Sequence, residues 1–445
     1  MRLFNSLSTI GNSCSIEISN SEYIDVSNTG VFGLSQKRNA IGLNNGIISG
    51  VSCEGRANLI DCLLYDAVNS KKPVIYVRNR VNNQLSGRFG VEIEQGAFGS
   101  HQVVVDITKK NGGINLFKGM TLDVLADCLV EMMAEYIVLD DPMKDFTTIW
   151  FDKIFELLKT TKPKEKFKLE NLKSYTFDWA EGKYDSLYQM GEIDQNRYTI
   201  LMNELRRISG VYQSQMLKFI TFGKKIESNG LVGLFSGRVS IKDIYERDMV
   251  LLINLNDGAS KKESDAFFRF LLKRLVIEET SNTKSAVCMI EDVNVKKSAD
   301  LFLSLLSSSF SKGGVGEVYF TEKNITWWSE NTSNVAEHPA SYCNAFFVFK
   351  QNVNTDLKYW SALSGITKKI EVSHNQAPMS SVYRLAPYSW TNILFGRRMV
   401  YSGNSSKEVD TYRVEEQEID NLDSRSCITI IKMNEYIYNR KVRWS

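Results

Sequence analysis

The chain has 445 residues, of which 43% are hydrophobic, so it is long enough for two or three domains with a large buried core. Its 54 basic and 52 acidic residues nearly cancel, and the overall charge therefore lacks the basic excess of a dedicated nucleic-acid binder. The seven cysteines form no C-x-x-C pair and the three histidines are far apart, which argues against a disulfide framework and against a zinc or histidine-based metal site.

The first 40 residues alternate polar and apolar side chains, which predicts short half-buried strands at the edge of a domain. The next segment predicts a strand over 46–51, a helix over 57–69 and a second strand over 73–78. The second strand is apolar, as expected of a parallel strand that is covered on both faces. This segment therefore predicts a βαβ unit.

The turn between the first of these strands and the helix partly matches the phosphate-binding loop G-x-x-x-x-G-K-[ST]. Gly50 and Gly55 keep the spacing at which backbone N–H groups and a helix N-terminus cradle phosphate. Arg56 stands where the phosphate-reaching lysine is expected, and Ala57 stands where a magnesium-binding hydroxyl is expected. Glu54 adds a charge that repels polyphosphate, so we expect weak nucleotide binding or none. Two ordinary turn glycines are the alternative interpretation.

Helical periodicity dominates the middle of the chain. Apolar residues recur at intervals of three and four over 121–139, which predicts a helix with one buried face. From 142 to 217 the pattern is helical almost throughout, and no strand pattern interrupts it. The helices predicted there cover 144–159, 183–190 and 194–217. We interpret this stretch as an all-helical insertion within an α/β domain.

Strand patterns return at residue 249 and then alternate with helices, which predicts a doubly wound, mostly parallel sheet. The predicted elements are a strand over 249–255, a helix over 261–279, a strand over 286–290, a helix over 296–310, and strands over 317–321 and 344–350. Residues 382–445 are rich in tyrosine and β-branched side chains, which predicts a small β-rich tail outside this core.

Two of the predicted strands end in acidic residues. Glu291 and Asp292 follow an apolar strand, where a P-loop motor places its magnesium-associated Asp and its water-activating Glu. The order here is Glu then Asp, so the positioning of water should suffer. Glu322 ends the next strand, where such motors carry a polar sensor of the γ-phosphate, and its carboxylate would repel that phosphate. A solvent-facing acidic strand end is the alternative interpretation of Glu291 and Asp292.

In the order of these parts the chain resembles the FtsK/HerA superfamily, and within it the conjugative coupling proteins of the TraD/TraG type. The resemblance covers roughly residues 30–375. It rests on the altered loop, the helical insertion, the acidic strand, the Gly-rich turn at 311–316 and the segment 355–365. That last segment is similar to the short helix and glycine that follow the last core strand of coupling proteins.

The resemblance implies an α/β fold with a RecA-like P-loop NTPase core and a mostly parallel doubly wound sheet. Four segments follow from it: 1–141 as the first part of the core, 142–217 as the helical insertion, 218–380 as the second part of the core with the altered acidic strand, and 381–445 as a β-rich C-terminal extension. Glu291, Asp292 and Glu322 would occupy the catalytic positions, and the loop residues would bind ATP.

The motor of that family is a hexamer around DNA that couples substrates to a type IV secretion channel. Because the residues expected to hold phosphate and Mg²⁺ are altered, we expect a pseudo-ATPase that serves as an assembly or substrate-docking subunit of a conjugation or type IV secretion machine. Its expected partners are other subunits of that machine, in a homo- or hetero-oligomeric ring, with weak contact to a DNA or protein substrate. Retention of Mg²⁺ is in doubt because Ala57 offers no oxygen.

Two other functions fit the same residues. One is an active ATP-driven DNA or protein translocase with unorthodox motifs, and the other is a nucleotide-independent structural component of a secretion or defence complex. No run approaches the roughly 18 uninterrupted apolar residues of a transmembrane helix. We therefore expect a cytoplasmic protein without direct membrane insertion, which a partner recruits to the inner membrane.

Overall fold

The computed structural model describes most of the chain between residues 45 and 444. The described residues are 16–18, 45–51, 53–79, 87–109, 113–160, 166–235, 237–256, 258, 261–281, 284, 286–311, 317–331, 338–378, 400–433 and 436–444. Apart from Ile16–Ile18, the strands predicted for the first 40 residues lie outside these ranges.

Fourteen strands and thirteen helices are numbered here along the described parts of the chain. The strands are β1 (Ile16–Ile18), β2 (Asn45–Ser49), β3 (Val74–Asn79), β4 (Gln102–Asp106), β5 (Ile114–Asn115), β6 (Val239–Ser240), β7 (Val250–Leu255), β8 (Val287–Glu291), β9 (Glu317–Glu322), β10 (Ala345–Val348), β11 (Ile366–Pro378), β12 (Val400–Tyr412), β13 (Ser426–Met433) and β14 (Tyr436–Trp444). The helices are α1 (Glu54–Asn69), α2 (Arg88–Glu94), α3 (Leu122–Met133), α4 (Asp141–Thr160), α5 (Phe177–Gln189), α6 (Gln195–Ser228), α7 (Leu231–Leu234), α8 (Ile241–Glu246), α9 (Lys261–Ser281), α10 (Ala299–Ser311), α11 (Thr326–Asn331), α12 (Asn354–Leu363) and α13 (Glu416–Asp420). Short 3₁₀ helices occur at Gly99–His101, Ile107–Lys109, Leu169–Ser174, Val295–Ser298 and Pro339–Tyr342.

A ten-stranded sheet in the order β1-β14-β13-β10-β2-β9-β8-β3-β7-β4 forms the centre of the fold. The seven neighbouring strands from β10 to β4 are all parallel, and β13, β14 and β1 are antiparallel to their neighbours. Strands that are neighbours in the sheet but distant in the chain are joined through helices, as a doubly wound sheet requires. The predicted mostly parallel sheet is therefore present.

Both faces of the sheet are covered. On β3, Ile75 and Val77 point into the larger hydrophobic core, whereas Val74 and Tyr76 point into a second core on the opposite face. This alternation follows from the two-residue period of a strand. Helix α1 contributes Leu63 to the second core, and α3, α9 and α10 contribute to the first. The continuous apolar pattern of the parallel strands results from this double coverage.

Residues 142–217 contain three long helices, and none of their described residues lies in a strand. Helix α6 continues to Ser228, beyond the predicted end at 217, and its backbone departs from helical geometry at Tyr212. Side chains of Thr176 and Asp194 cap the N-termini of α5 and α6. Trp150 of α4 is fully buried, and its indole N–H donates to the carbonyl of Tyr175 at 2.9 Å.

The C-terminal segment is β-rich, as predicted. The prediction that it lies outside the core does not hold for β13 and β14. Strand β13 pairs antiparallel with β10, and β14 pairs with β13, so both extend the main sheet. An alternating pattern identifies strands without identifying the edge on which they pair. Here they cover the β10 edge, whose N–H and C=O groups would otherwise be unpaired. Strands β11 and β12 form a separate two-stranded ribbon of 13 residue pairs.

Two elements in the first part of the chain were not predicted. Strand β4 pairs with β7 and completes the far end of the sheet, and the short helix α2 precedes it. The run of Val103, Val104 and Val105 is apolar, but it is too short for its period to separate a strand from a helix.

Candidate functional site

The glycine loop (residues 50–57) connects the C-terminal end of β2 to the first turn of α1. Gly50 has φ +121°, a conformation that other residues rarely adopt. A Cβ atom at this position would lie 2.8 Å from the carbonyl oxygen of Lys350. The Gly50 N–H donates to the carbonyl of Glu322 at 3.2 Å, and the Val51 N–H donates to that of Lys350 at 3.2 Å. The loop therefore leaves the sheet between the ends of β9 and β10.

The second glycine of the loop contacts a distant part of the chain. The N–H of Gly55 donates to the carbonyl of Ser424 at 3.0 Å. A Cβ atom at position 55 would lie 2.8 Å from Cα of Arg425. The Arg425 Nε atom is also 2.9 Å from a carboxylate oxygen of Glu54, the first residue of α1. The segment before β13 is thus packed directly on the loop.

Arg56 forms a buried ion pair with Asp292. Its Nη2 atom is 2.6 Å from Asp292 Oδ2, and the two side chains are only 1% and 2% exposed. The other terminal nitrogen, Arg56 Nη1, is buried without a hydrogen-bond partner. The residue at the expected lysine position and the acid that follows β8 therefore neutralise each other.

The backbone around Asp292 directs its side chain to this pair. Asp292 has φ +54°, in the left-handed region that aspartate tolerates better than most residues. Its N–H donates to the hydroxyl of Thr321 at 2.7 Å, and the Asn79 amide donates to its carbonyl at 3.4 Å. The ends of β3 and β9 thus hold the residue from both sides.

Glu291 has a different environment from Asp292. Its carboxylate accepts a hydrogen bond from the Tyr76 hydroxyl, and both residues are buried. Burial, together with the negative charge of Glu291, raises the pKa of Tyr76 well above its usual value. Burial also raises the pKa of nearby Asp61 to about 7, with Glu291 adding to the effect. Glu291 therefore belongs to a buried polar cluster beside α1 and α2.

The carboxylate of Glu322 is bound by residues that follow β8 and β9. Glu322 Oε1 is 3.2 Å from Lys296 Nζ and accepts the N–H of Asn324 at 3.0 Å. Its other oxygen accepts the indole N–H of Trp328, a fully buried residue, at 3.2 Å. Lys296 also lies over the ring of Trp327, with Nζ 4.9 Å from the ring centroid. The side chain of Glu322 is thus bound by a cation and two donors, while its backbone carbonyl contacts the loop.

Solved structures share this arrangement of elements over most of the chain. The bacterial conjugative coupling protein TrwB, as the ΔN70 form without ligand, has a TM-score of 0.50 and 14% identity over 90% of this chain and 84% of that one. The chain has the fold of a conjugative coupling protein. The predicted RecA-like P-loop fold, with its mostly parallel sheet, is therefore confirmed.

Two further structures are similar to the chain. The plasmid coupling protein TrwB in complex with the GTP analogue GDPNP has a TM-score of 0.48 and 14% identity over 90% of this chain and 85% of that one. VirB4 of Thermoanaerobacter pseudethanolicus has a TM-score of 0.47 and 11% identity over 90% of this chain and 89% of that one. No protein-family model matches the sequence, and no curated protein matches it either.

A cleft of about 290 Å³ opens beside the ion pair in this coupling-protein fold, between the ends of β8 and β9. Its lining includes Asp292, Lys296, Thr321 and Lys323. Asp292 is paired with Arg56, and Lys296 with Glu322. Among the described residues, no group of three or more His, Cys, Asp and Glu side chains is arranged to hold a metal ion. In the same described part of the chain, no helix combines the length and apolar character needed to span a bilayer.

The structure brings Gly50, Gly55, Arg56 and Ala57 together with Asp292 at one edge of the sheet. Ala57 lies half-buried in the first turn of α1, where its N–H donates to the carbonyl of Cys53 at 3.2 Å. Sequence reasoning missed Thr321, which stands next to Glu322 at a strand end and could have been found there. It also missed the contact of Ser424 with the loop, for which no local pattern gives a signal.

Proposed function

We propose that the chain is a coupling-protein-like pseudo-ATPase that acts as an assembly or substrate-docking subunit of a conjugation or type IV secretion machine. The similarity of its fold to TrwB supports the type of machine. Loss of hydrolysis is supported by one observation above all, the buried ion pair between Arg56 and Asp292.

The ion pair engages the two charged side chains that a magnesium nucleotide would need to contact. In a working P-loop the loop cation contacts phosphate, and the acid at the strand end binds the magnesium ion. Here Arg56 and Asp292 bind each other at 2.6 Å and are almost fully buried. A phosphate that recruited Arg56 would leave the Asp292 carboxylate buried without its partner, which costs about 3–5 kcal/mol for pairs of this kind.

The neighbouring groups do not fit a magnesium nucleotide either. Ala57 has no side-chain oxygen to bind the ion, and the Gly55 N–H is already bonded to Ser424. Glu322, at the expected position of the γ-phosphate sensor, is bound by Lys296.

The test combines a nucleotide-binding titration with an ATPase assay on the full chain in the presence of Mg²⁺. We expect turnover at background and weak binding, because the loop cation is neutralised and the metal has lost a ligand. Arg247→Ala, which removes an arginine whose side chain is 67% exposed and lies 3.6 Å from Asp243, is the matched control. Robust hydrolysis that Arg56→Ala abolishes and Arg247→Ala preserves would overturn the proposal and favour an active translocase.

A nucleotide-independent structural component is the second candidate. It is favoured by the contact between Gly55 and Ser424, which uses a loop donor within the chain itself. Binding without turnover supports a pseudo-ATPase that retains nucleotide, and the absence of both supports the structural component.

A further inference from the structure

We propose that residues 423–426, here called the C-terminal turn, act as a built-in substitute for phosphate and keep the glycine loop folded without nucleotide. The inference deepens the proposed function, on which it rests for the statement that nucleotide is not the regular occupant of the loop. Three features of the contact carry it.

The first feature is the hydrogen bond from Gly55 to Ser424. N–H groups in the first turn of a helix have no partner within the helix, and they are the donors that phosphate uses in a P-loop. The Gly55 N–H donates instead to the Ser424 carbonyl oxygen at 3.0 Å. A backbone oxygen of the C-terminal turn thus takes a donor that a phosphate oxygen would otherwise take.

The second feature is close backbone packing. A Cβ atom at position 55 would lie 2.8 Å from Cα of Arg425 and 2.9 Å from its carbonyl carbon and oxygen. This separation leaves no space for a phosphate group between the loop and the turn. The half-exposed ion pair between Arg425 and Glu54, at 2.9 Å, adds a side-chain contact across the same surface.

The third feature is that the C-terminal turn is itself held in place. The carboxylate of Asp423 accepts the N–H of Arg425 at 2.9 Å, and the Asp423 carbonyl accepts the N–H of Ser426 at 3.3 Å. Strand β13 begins at Ser426 and pairs with β10, beside the strand that leads into the loop. Cys427 and Val442 are fully buried in the same core as α1. The β13–β14 hairpin therefore presents the turn to the loop as a fixed part of the fold.

The test is hydrogen exchange of the amides around residues 53–57, measured on the full chain without nucleotide. Gly55→Ala places a methyl group against the Arg425 backbone and should displace the turn. We expect exchange about two- to tenfold faster than in the wild type, the range expected for loss of one hydrogen bond. Gly182→Ala is the matched control, because a Cβ atom there meets no atom within 4 Å. Alanine favours a helix over glycine, so propensity alone would slow exchange in both variants.

A second pair of variants guards against simple misfolding of Gly55→Ala. Glu54→Arg and Arg425→Glu should each raise loop exchange about twofold, as expected for an exposed ion pair, and the double variant should restore the wild-type rate. Unchanged loop exchange in Gly55→Ala, or single and double charge variants that do not differ, would overturn the inference. Because no nucleotide is present, the exchange result tests the contact between the turn and the loop, whereas turnover in the ATPase assay tests the proposed function, so the two failures are distinguishable.

Discussion

Arg56 and Asp292 place two opposite charges in contact at the one edge of the sheet where a motor of this fold would hold phosphate and metal. Their burial makes the pair mutually dependent, since each charge is compensated mainly by the other. The positive φ of Asp292 and its hydrogen bond to Thr321 fix the geometry of the acid. A single residue in an uncommon backbone conformation thus decides which acid meets the loop.

The ion pair gives a stability prediction. Arg56→Ala should lower the free energy of unfolding by about 3–5 kcal/mol, because it leaves the buried Asp292 carboxylate without its partner. The double variant Arg56→Met, Asp292→Asn should recover part of that loss, since it removes both charges and keeps at position 292 a residue that tolerates a positive φ. Denaturant unfolding measures both. A loss in Arg56→Ala no larger than in the surface variant Arg247→Ala would show that the pair is not coupled.

Asp61 gives a pH prediction. Burial raises its pKa from 3.8 to about 7, although it accepts the N–H groups of Arg88 and Phe89, and the charges of Glu291 and Glu92 add to the rise. A raised carboxyl pKa means that the folded state binds the proton more tightly than the unfolded state. The stability from that proton is complete below about pH 4 and is lost as the pH rises through about 7.

Asp61→Asn should therefore flatten the decline in melting temperature between about pH 5 and pH 8, because the amide does not ionise there. Thermal unfolding at several pH values measures this dependence. The exposed Asp127 of α3 supplies the matched control, Asp127→Asn, which should keep the wild-type slope. A slope that Asp61→Asn leaves unchanged would assign the pH dependence to another group.

At the scale of elements, the β13–β14 hairpin at the C-terminus makes two sets of contacts. It covers the edge of the sheet beyond β10, and it packs against α1 through Cys427 and Val442. The start of α8 is closed locally, because Ser240 and Asp243 form a reciprocal capping box. The loop end of α1 differs, because the N–H of Gly55 is satisfied by a distant segment.

The capping box of α8 gives an element-scale prediction. The hydrogen bond from the Ser240 hydroxyl, the backbone N–H of Ser240 and the Lys118 ammonium lower the pKa of Asp243 to about 2. The stability from this carboxylate is present above about pH 4 and is lost as the pH falls towards 2. Asp243→Ala should cost about 1–2 kcal/mol at neutral pH and less in acid, as measured by urea unfolding at both pH values. An equal loss at both would rule out the ionised carboxylate as the cause.

At the scale of the whole molecule, the loop, the acidic strand end and the C-terminal hairpin meet although they lie far apart in the chain. Contacts within the one chain, the Gly55–Ser424 hydrogen bond and the Arg56–Asp292 ion pair, close the site. The division of the chain at 142–217 into a separable helical unit stays a prediction.

Assembly should accordingly be independent of nucleotide. We expect the native mass of the full chain, measured by light scattering or native mass spectrometry, to be the same with and without millimolar ATP and Mg²⁺. Ligands shift such an equilibrium only if they bind its two states differently, and a chain that does not hold nucleotide has no such difference. A larger oligomer that forms only with ATP, and not in Arg56→Ala, would show that the pocket still works.

The sequence by itself determined the order of most strands and helices, the loop spacing of Gly50 and Gly55, and the absence of the lysine and hydroxyl at Arg56 and Ala57. These features are local, because a period of two or 3.6 residues and a motif spacing can be read within one segment. For the same reason the helical periodicity between 142 and 217 can be read from the sequence alone.

Only the tertiary structure decided which groups meet. Asp292 rather than Glu291 faces the loop, because the chain turns at a positive φ after β8 and because β3 brings Tyr76 next to Glu291. Ser424 reaches Gly55 because β13 pairs with β10 beside β2. Such contacts depend on strand pairing between distant segments, and no local pattern specifies the partner of a strand.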